Sequence, residues 1–334
     1  MFLSYIKSYL LLILFVLSTV GAINFTIDPL WYGQGNIING YNMVFNERLT
    51  KINLYRNNKN KNYDCIIFGS SRATLLNPSF FKKNTCFNLA LTAGKVEEFV
   101  KYAEYIKKEG AAPSKIYVGV DAFNFDPKTD FIKNAKVDEP EFVLKPYLFS
   151  LQSLDFSYRT FFKKSPSPRY YNKNWEVEVF EDIPKYEPKF SDFTSQEKCT
   201  SYRTKYYKQL VDIFPKAEFV AYIPPISAWK SYNRVYARGL TDCQLQRVYQ
   251  VSKFFDVMYD FAYASPMTSK IENTYDGSHF YPKVNKQIAQ VLEGEDKSAG
   301  ILINKYSLKD YQNFHRTQLK KFLEEQGKIQ LWKN

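Results

Sequence analysis

The chain has 334 residues and carries 46 Lys and Arg against 34 Asp and Glu, a formal net charge of +12, with 45% apolar and 18% aromatic residues. That apolar share excludes a disordered polymer and is enough for one large core or two modest ones. The lysines are scattered, as in Asn57-Asn58-Lys59-Asn60-Lys61-Asn62, with no basic stripe or nucleic-acid motif, so the charge argues against nucleic acid and for an anionic cell-surface setting.

The first element is an apolar run. Residues 9–23 are uncharged, and Phe2 to Ile6 extend them with Lys7 between. This is long enough for a spanning helix, and Val20-Gly21-Ala22 also offers small residues suited to signal cleavage. The reading adopted is an uncleaved single-pass anchor over residues 1–23. Lys7 lies on one side and the next Lys or Arg is Arg48, which puts the amino terminus in the cytoplasm and the rest outside it, in the periplasm or cell envelope. Residues 24–62 form a juxtamembrane segment with turn signals at Asp28-Pro29 and Gly33-Gln34-Gly35.

An α/β domain is expected over residues 63–293. Its strands are Asp64 to Phe68, Cys86 to Ala90, Lys115 to Val120, Ala217 to Ile223 and Val257 to Phe261. Between them lie a helix opened by Gly94, with Val96, Phe99, Val100, Ala103 and Ile106 on one face, and another over Asp242 to Phe255. Pro282 opens a last core helix from Val284 to Leu292. Alternating β and α units predict an α/β fold: a three-layer α/β/α sandwich whose central parallel sheet has about five strands. Residues 126–195 interrupt the rhythm and read as an aromatic-rich insertion lying over the carboxyl edge of the sheet. It contains a helix from Leu148 to Phe162, and its Tyr170, Tyr171 and Trp175 either contact a glycan or pack a small core of their own. Residues 294–334 are a helical tail, with a capping box at Ser307-Leu308-Lys309-Asp310 and an apolar stripe of Leu308, Tyr311, Leu319 and Phe322. His315 lies on that stripe and reads as a packed or rim histidine.

Of the four cysteines, Cys65 and Cys86 read as small apolar residues in buried strands, whereas Cys199 and Cys243 stand near helix starts and could pair. Without CxxC or Cys/His clustering, no metal site is expected, and no cofactor.

The chemistry gathers at strand ends, where open parallel sheets bind ligands. Ser71 follows the first strand in Phe68-Gly69-Ser70-Ser71-Arg72, and one of only two histidines follows the last in Asp276-Gly277-Ser278-His279. A hydroxyl nucleophile needs a base and the base an orienting carboxylate; a separation of three residues lets Asp276 reach Nδ1–H of His279 while Nε2 faces Ser71. Gly94, opening a helix, could offer its N–H to a developing oxyanion, as could the N–H of Ser71. Asp121 and Asn124 follow the third strand. Arg72 could hold an anionic substrate or anchor its turn. An α/β-hydrolase would need glycine where Ala73 stands, and a dinucleotide site lacks its glycine fingerprint.

These blocks resemble the SGNH/GDSL hydrolase superfamily over about Asp64 to Leu292. Gly69-Ser70-Ser71 is similar to the first block, with Ser70 in place of aspartate. Asn88-Leu89-Ala90-Leu91-Thr92-Ala93-Gly94 is similar to the second, whose glycine serves the oxyanion hole, and Asp276-Gly277-Ser278-His279 to the last. The third block, Gly-x-Asn-Asp, is not matched at Gly119-Val120-Asp121-Ala122-Phe123-Asn124, where Asn124 is the substitute amide. The N-terminal helix, the following Asp-Pro and Gly-Ser-Ser further resemble the anchored, exported branch that accompanies membrane-bound O-acyltransferases in decorating cell-surface polysaccharides. The resemblance implies a serine esterase or O-acyltransferase that moves an acyl group, usually acetyl, on a glycan, with Ser71, His279 and Asp276 as the triad. Its partners would be an acylated glycan or acyl donor and a membrane-bound O-acyltransferase. The rival expectation is a catalytically weak scaffold that binds polysaccharide or that acyltransferase.

Overall fold

The computed structural model describes residues 2–126, 145–192, 194–201 and 203–332. The part of the expected insertion at 127–144 lies outside the described residues. In chain order the elements are α1 (Phe2–Ile27), α2 (Glu47–Asn57), β1 (Cys65–Phe68), β2 (Cys86–Asn88), α3 (Val96–Lys108), β3 (Lys115–Gly119), α4 (Lys145–Leu148), α5 (Leu151–Phe161), β4 (Arg169–Tyr171) and β5 (Val177–Val179). There follow α6 (Thr204–Ile213), β6 (Glu218–Ile223), α7 (Ala228–Ser231), α8 (Thr241–Ser252), β7 (Val257–Asp260), α9 (Pro282–Leu292), β8 (Ile301–Leu302) and α10 (Leu308–Glu325). They form two compact units, Met1–Asn60 with Pro140–Glu181, and Lys61–Glu139 with Asp182–Asn334.

The first unit is organised around the end of α1, an apolar helix with a mean hydropathy of 2.3 in its most apolar window, long enough to cross a membrane. Asn24 is fully buried; its amide donates to the carbonyls of Leu148 and Ser150 and its oxygen accepts from Ser157. Asp28 accepts from the N–H groups of Tyr32, Gly33 and Gly35 and from the Tyr147 hydroxyl. Burial pushes the Asp28 carboxyl up, and those four donors oppose the shift. Gly21, in the stretch suited to cleavage, packs so closely that a Cβ there would lie 3.0 Å from the Phe149 ring.

The aromatic residues of the insertion build this unit's own core. Trp31 is fully buried against Tyr171 and Trp175, at centroid distances of 4.9 and 4.8 Å. Tyr170 stacks on Tyr41 and donates to Glu178. The buried Tyr171 donates to Glu47 and its ring receives Lys51 Nζ at 4.7 Å. Ser150 caps the helix expected from Leu148, so the helix proper starts at Leu151. The face of α5 and its flanks leaves Phe149, Leu151, Tyr158, Phe161 and Phe162 exposed.

The second unit is mixed α/β, built on a six-stranded, mostly parallel sheet in the order β2-β1-β3-β6-β7-β8. Five strands are parallel; the two-residue β8 adds an antiparallel edge beside β7, a strand too short to show in the sequence. Side chains alternate across the sheet. Cys65, Ile67, Tyr117, Val220 and Tyr222 pack with Val284, Ile288, Ala289 and Leu292 of α9. From the other side Phe68 stacks on Phe99 of α3, and Phe219 on Phe255, which meets Tyr207 of α6. Each such buried side chain contributes roughly 1.5–3 kcal/mol over its exposed state. The tail is part of this unit: Leu319, Phe322 and Leu323 of α10 pack on Trp229 and Tyr232, and Ser307 caps the helix.

Cys65 and Cys86 correct the sequence reading. They are register partners on adjacent strands and form a disulfide, as do Cys199 and Cys243.

Candidate active site

The turn after β1 sets the nucleophile. A Cβ on Gly69 would lie 2.4 Å from the Ala73 Cβ, which is why no side chain fits there. The chain then reverses: Ala73 N–H donates to the Ser70 carbonyl and the Thr74 hydroxyl to the Ser71 carbonyl. Asn88 at the end of β2 locks the turn from beneath, its amide donating to the carbonyls of Ala73 and Leu76. Ser71 is left half-buried at the carboxyl edge of the sheet.

The partner loop lies between β7 and α9. Thr274 and Phe280 bridge its base, the Thr274 hydroxyl donating to the His279 carbonyl and accepting from Gly277 N–H. Gly277, at φ +77°, presses on Tyr186 and Ser227; a Cβ would come within 2.5 Å of the Tyr186 ring. Asp276 Oδ1 accepts from both Ser278 N–H and His279 N–H at 2.8 Å, while Oδ2 accepts from His279 Nδ1 at 2.7 Å. That contact sets the Nδ1–H tautomer, so Nε2 accepts from the Ser71 hydroxyl at 2.8 Å. The imidazole also stacks on Tyr275, nearly parallel. Burial alone would raise the Asp276 carboxyl, but the bonds from His279 and the two N–H groups hold it well below the usual carboxylate range.

Ser71, His279 and Asp276, 208 residues apart at their extremes, therefore form one hydrogen-bonded chain. The other sequence candidates fall differently. Arg72 pairs with the fully buried Asp121 at 3.2 Å, bracing the nucleophile turn against β3. Burial pushes Asp121 up and Arg72 opposes it. Asn124 is fully buried and its amide donates to the Tyr207 hydroxyl, so no substrate reaches it. Gly94 does not offer its N–H, which donates to the Leu91 carbonyl at 2.9 Å; a Cβ there would meet that same oxygen.

A backbone N–H that the sequence does not single out is that of Ala93. The β1–β2 pairing continues as Leu91 N–H to Gly69 O, and two residues later Ala93 adopts φ +52°, exposed, its N–H without a partner among the described residues. A left-handed non-glycine residue one place before a glycine leaves no mark in a sequence. Also missed were Tyr186, whose hydroxyl bonds with Ser227 at 2.8 Å, and Lys230, whose Nζ donates to Ser278 Oγ at 3.1 Å.

A second Asp–His pair exists away from the triad: Asp260 accepts from His315 Nε2 and the Tyr311 hydroxyl, tying α10 to β7. Among the described residues no group of three or more His, Cys, Asp or Glu is placed to hold a metal ion. No protein-family model matches this sequence, and no curated protein does.

Proposed function

We propose that this chain is an extracytoplasmic serine esterase or O-acyltransferase, built as an SGNH-type three-layer sandwich and acting on acyl, most simply acetyl, groups of a cell-surface glycan. The observation that carries the reading is the continuous bond chain Ser71 Oγ–His279 Nε2 and His279 Nδ1–Asp276 Oδ2, at 2.8 and 2.7 Å. Ser71 Oγ attacks the ester carbonyl carbon as its proton passes to His279 Nε2, and Asp276 stabilises the imidazolium. Ala93 N–H donates to the oxyanion in the place expected of Gly94. Collapse expels the alkoxide, which takes the proton from His279 and leaves the acyl group on Ser71. A second hydroxyl, of water or of a sugar, gives its proton to His279, attacks that ester and restores the free serine.

Two features support a setting outside the cytoplasm. Both disulfides suit an oxidising compartment. In the first unit, the apolar surface of α1 runs on into the exposed Leu151, Tyr158 and Phe161 of α5, as expected of a helix leaving a bilayer, and Lys7 before the apolar run favours an amino terminus in the cytoplasm. The membrane-bound partner would be an O-acyltransferase that delivers the acyl group.

The test is hydrolysis of 4-nitrophenyl acetate and of an acetylated oligosaccharide by the full chain in detergent. Acetate release that falls at least about a thousandfold in the Ser71→Ala variant is the expected result. Equal acetate release by wild type and variant, alongside undiminished glycan binding, would favour the scaffold reading, for which the burial of Asn124 speaks.

A further inference from the structure

Among the described residues, the rim beside the triad carries two cations, Lys230 and Arg234, without an ion-pair partner, and a third, Arg72, paired with Asp121. Lys230 at the end of α7 reaches the triad loop through Ser278. Arg234 lies four residues on, in the helical turn Tyr232–Tyr236 that continues α7. Arg72 follows the nucleophile, and with Arg234 it borders a cavity of about 140 Å³ at the carboxyl ends of β6 and β7, walled by Phe123, Ile223 and Leu245. Four acids near them are already engaged: Asp276 by His279, Asp121 by Arg72, Asp126 by both arms of Arg238, and Asp260 by His315 and Tyr311. Lys230 and Arg234 form no ion pair among the described residues.

Holding these groups together opposes ordinary electrostatics. Burial pushes the Lys230 ammonium down; Asp276 pulls it up, and Arg234 and Arg72 push it down again. An isolated cation on a surface is commonplace, but like charges converging beside a nucleophile are relieved by an anion bound among them. Arg234 supplies a planar fork suited to two oxygens of a carboxylate or phosphate, and Lys230 keeps donors beyond the one given to Ser278. Tyr186, pressed against Gly277 in the same loop, adds an aromatic ring whose electrostatic partners include Asp276 and Arg234.

We infer that Lys230 and Arg234, beside the Tyr186 ring, form a subsite for an anionic sugar unit, so that the glycan served by Ser71 is a polyanion bearing carboxylate or phosphate. This rests on the reading of Ser71 as the reacting group for its link to catalysis, but the subsite itself is measurable without turnover. The full chain carrying Ser71→Ala is titrated calorimetrically with three probes: tetragalacturonate, glucose 1-phosphate and the neutral cellotetraose. Binding of one or both anionic probes is expected, with Kd raised about tenfold or more by R234Q or K230Q, raised less by R234K, which keeps the charge and loses the fork, and weakened by added salt. The anion that binds identifies the group recognised. Cellotetraose binding as well as the anionic probes, no binding by either anion, or anion binding indifferent to both substitutions would overturn the subsite. A chain that binds tetragalacturonate through Arg234 but releases acetate equally with and without Ser71 would keep the subsite and remove the esterase.

Discussion

Asp276 carries two duties that can be separated by pH. Because its carboxyl is held below the ordinary 3.8, ionisation favours the folded loop. That contribution is complete above the unfolded value and is lost as pH falls through it toward the lower native value. The stability difference between wild type and Asp276→Asn should therefore shrink as pH falls below about 4, as read by thermal unfolding. At neutral pH the same variant should lose about 10³–10⁴ in kcat, since asparagine no longer holds the Nδ1–H tautomer; a loss below tenfold would remove Asp276 from the mechanism. Ser71, Asp276 and His279 were legible because hydroxyl, imidazole and carboxylate stood at strand ends with a spacing that one tight loop satisfies. The proposed oxyanion donor, Ala93, was not legible, because glycine is the usual sign of a left-handed turn and here an alanine takes that conformation while the Gly94 N–H donates to Leu91. Asn124 misled for another reason: side-chain direction at the end of β3 depends on Tyr207, 83 residues away.

At the level of elements, the parallel strands were readable as short apolar runs because both their faces are covered. Strand β8 and the β4–β5 hairpin were not, since two or three residues show no period. The Cys65–Cys86 bond was likewise hidden: cysteine spacing says nothing about which strands become neighbours, and only the β1–β2 register makes the two sulfurs meet. Closing a loop of 21 residues, the bond should stabilise the second unit by about 3 kcal/mol on loop-entropy grounds. The Cys65→Ala/Cys86→Ala double variant should thus show a lower denaturation midpoint in guanidinium at an unchanged Cys199–Cys243 bond; an unchanged midpoint would contradict it. In the first unit, the buried Lys51 is pushed down to about 8 by desolvation, Glu47 raising it and Arg169 lowering it. The unfolded chain then binds more protons between about pH 8 and 10.5, so this unit should grow more stable as pH rises through that window. Lys51→Met should abolish the rise, measured by proteolysis or thermal unfolding followed at Trp31.

At the scale of the whole molecule, the positive charge, the apolar N-terminal helix and the disulfides are each consistent with the proposed extracytoplasmic setting. A net charge of +12 favours encounter with an anionic polymer in the proposed extracytoplasmic setting, and that attraction should weaken with ionic strength. The N-terminal helix was legible from hydropathy alone, whereas the way Asn24 and Asp28 tie its end into a folded unit was not, because those bonds run to residues 147–157. The central claim is that Ser71 is a nucleophile activated by His279. It is tested most directly by treating the full chain with a fluorophosphonate and locating the adduct by peptide mass spectrometry. A single adduct on Ser71, absent in Ser71→Ala and strongly slowed in His279→Ala, is the predicted result. Labelling elsewhere, or at an equal rate without His279, would contradict it.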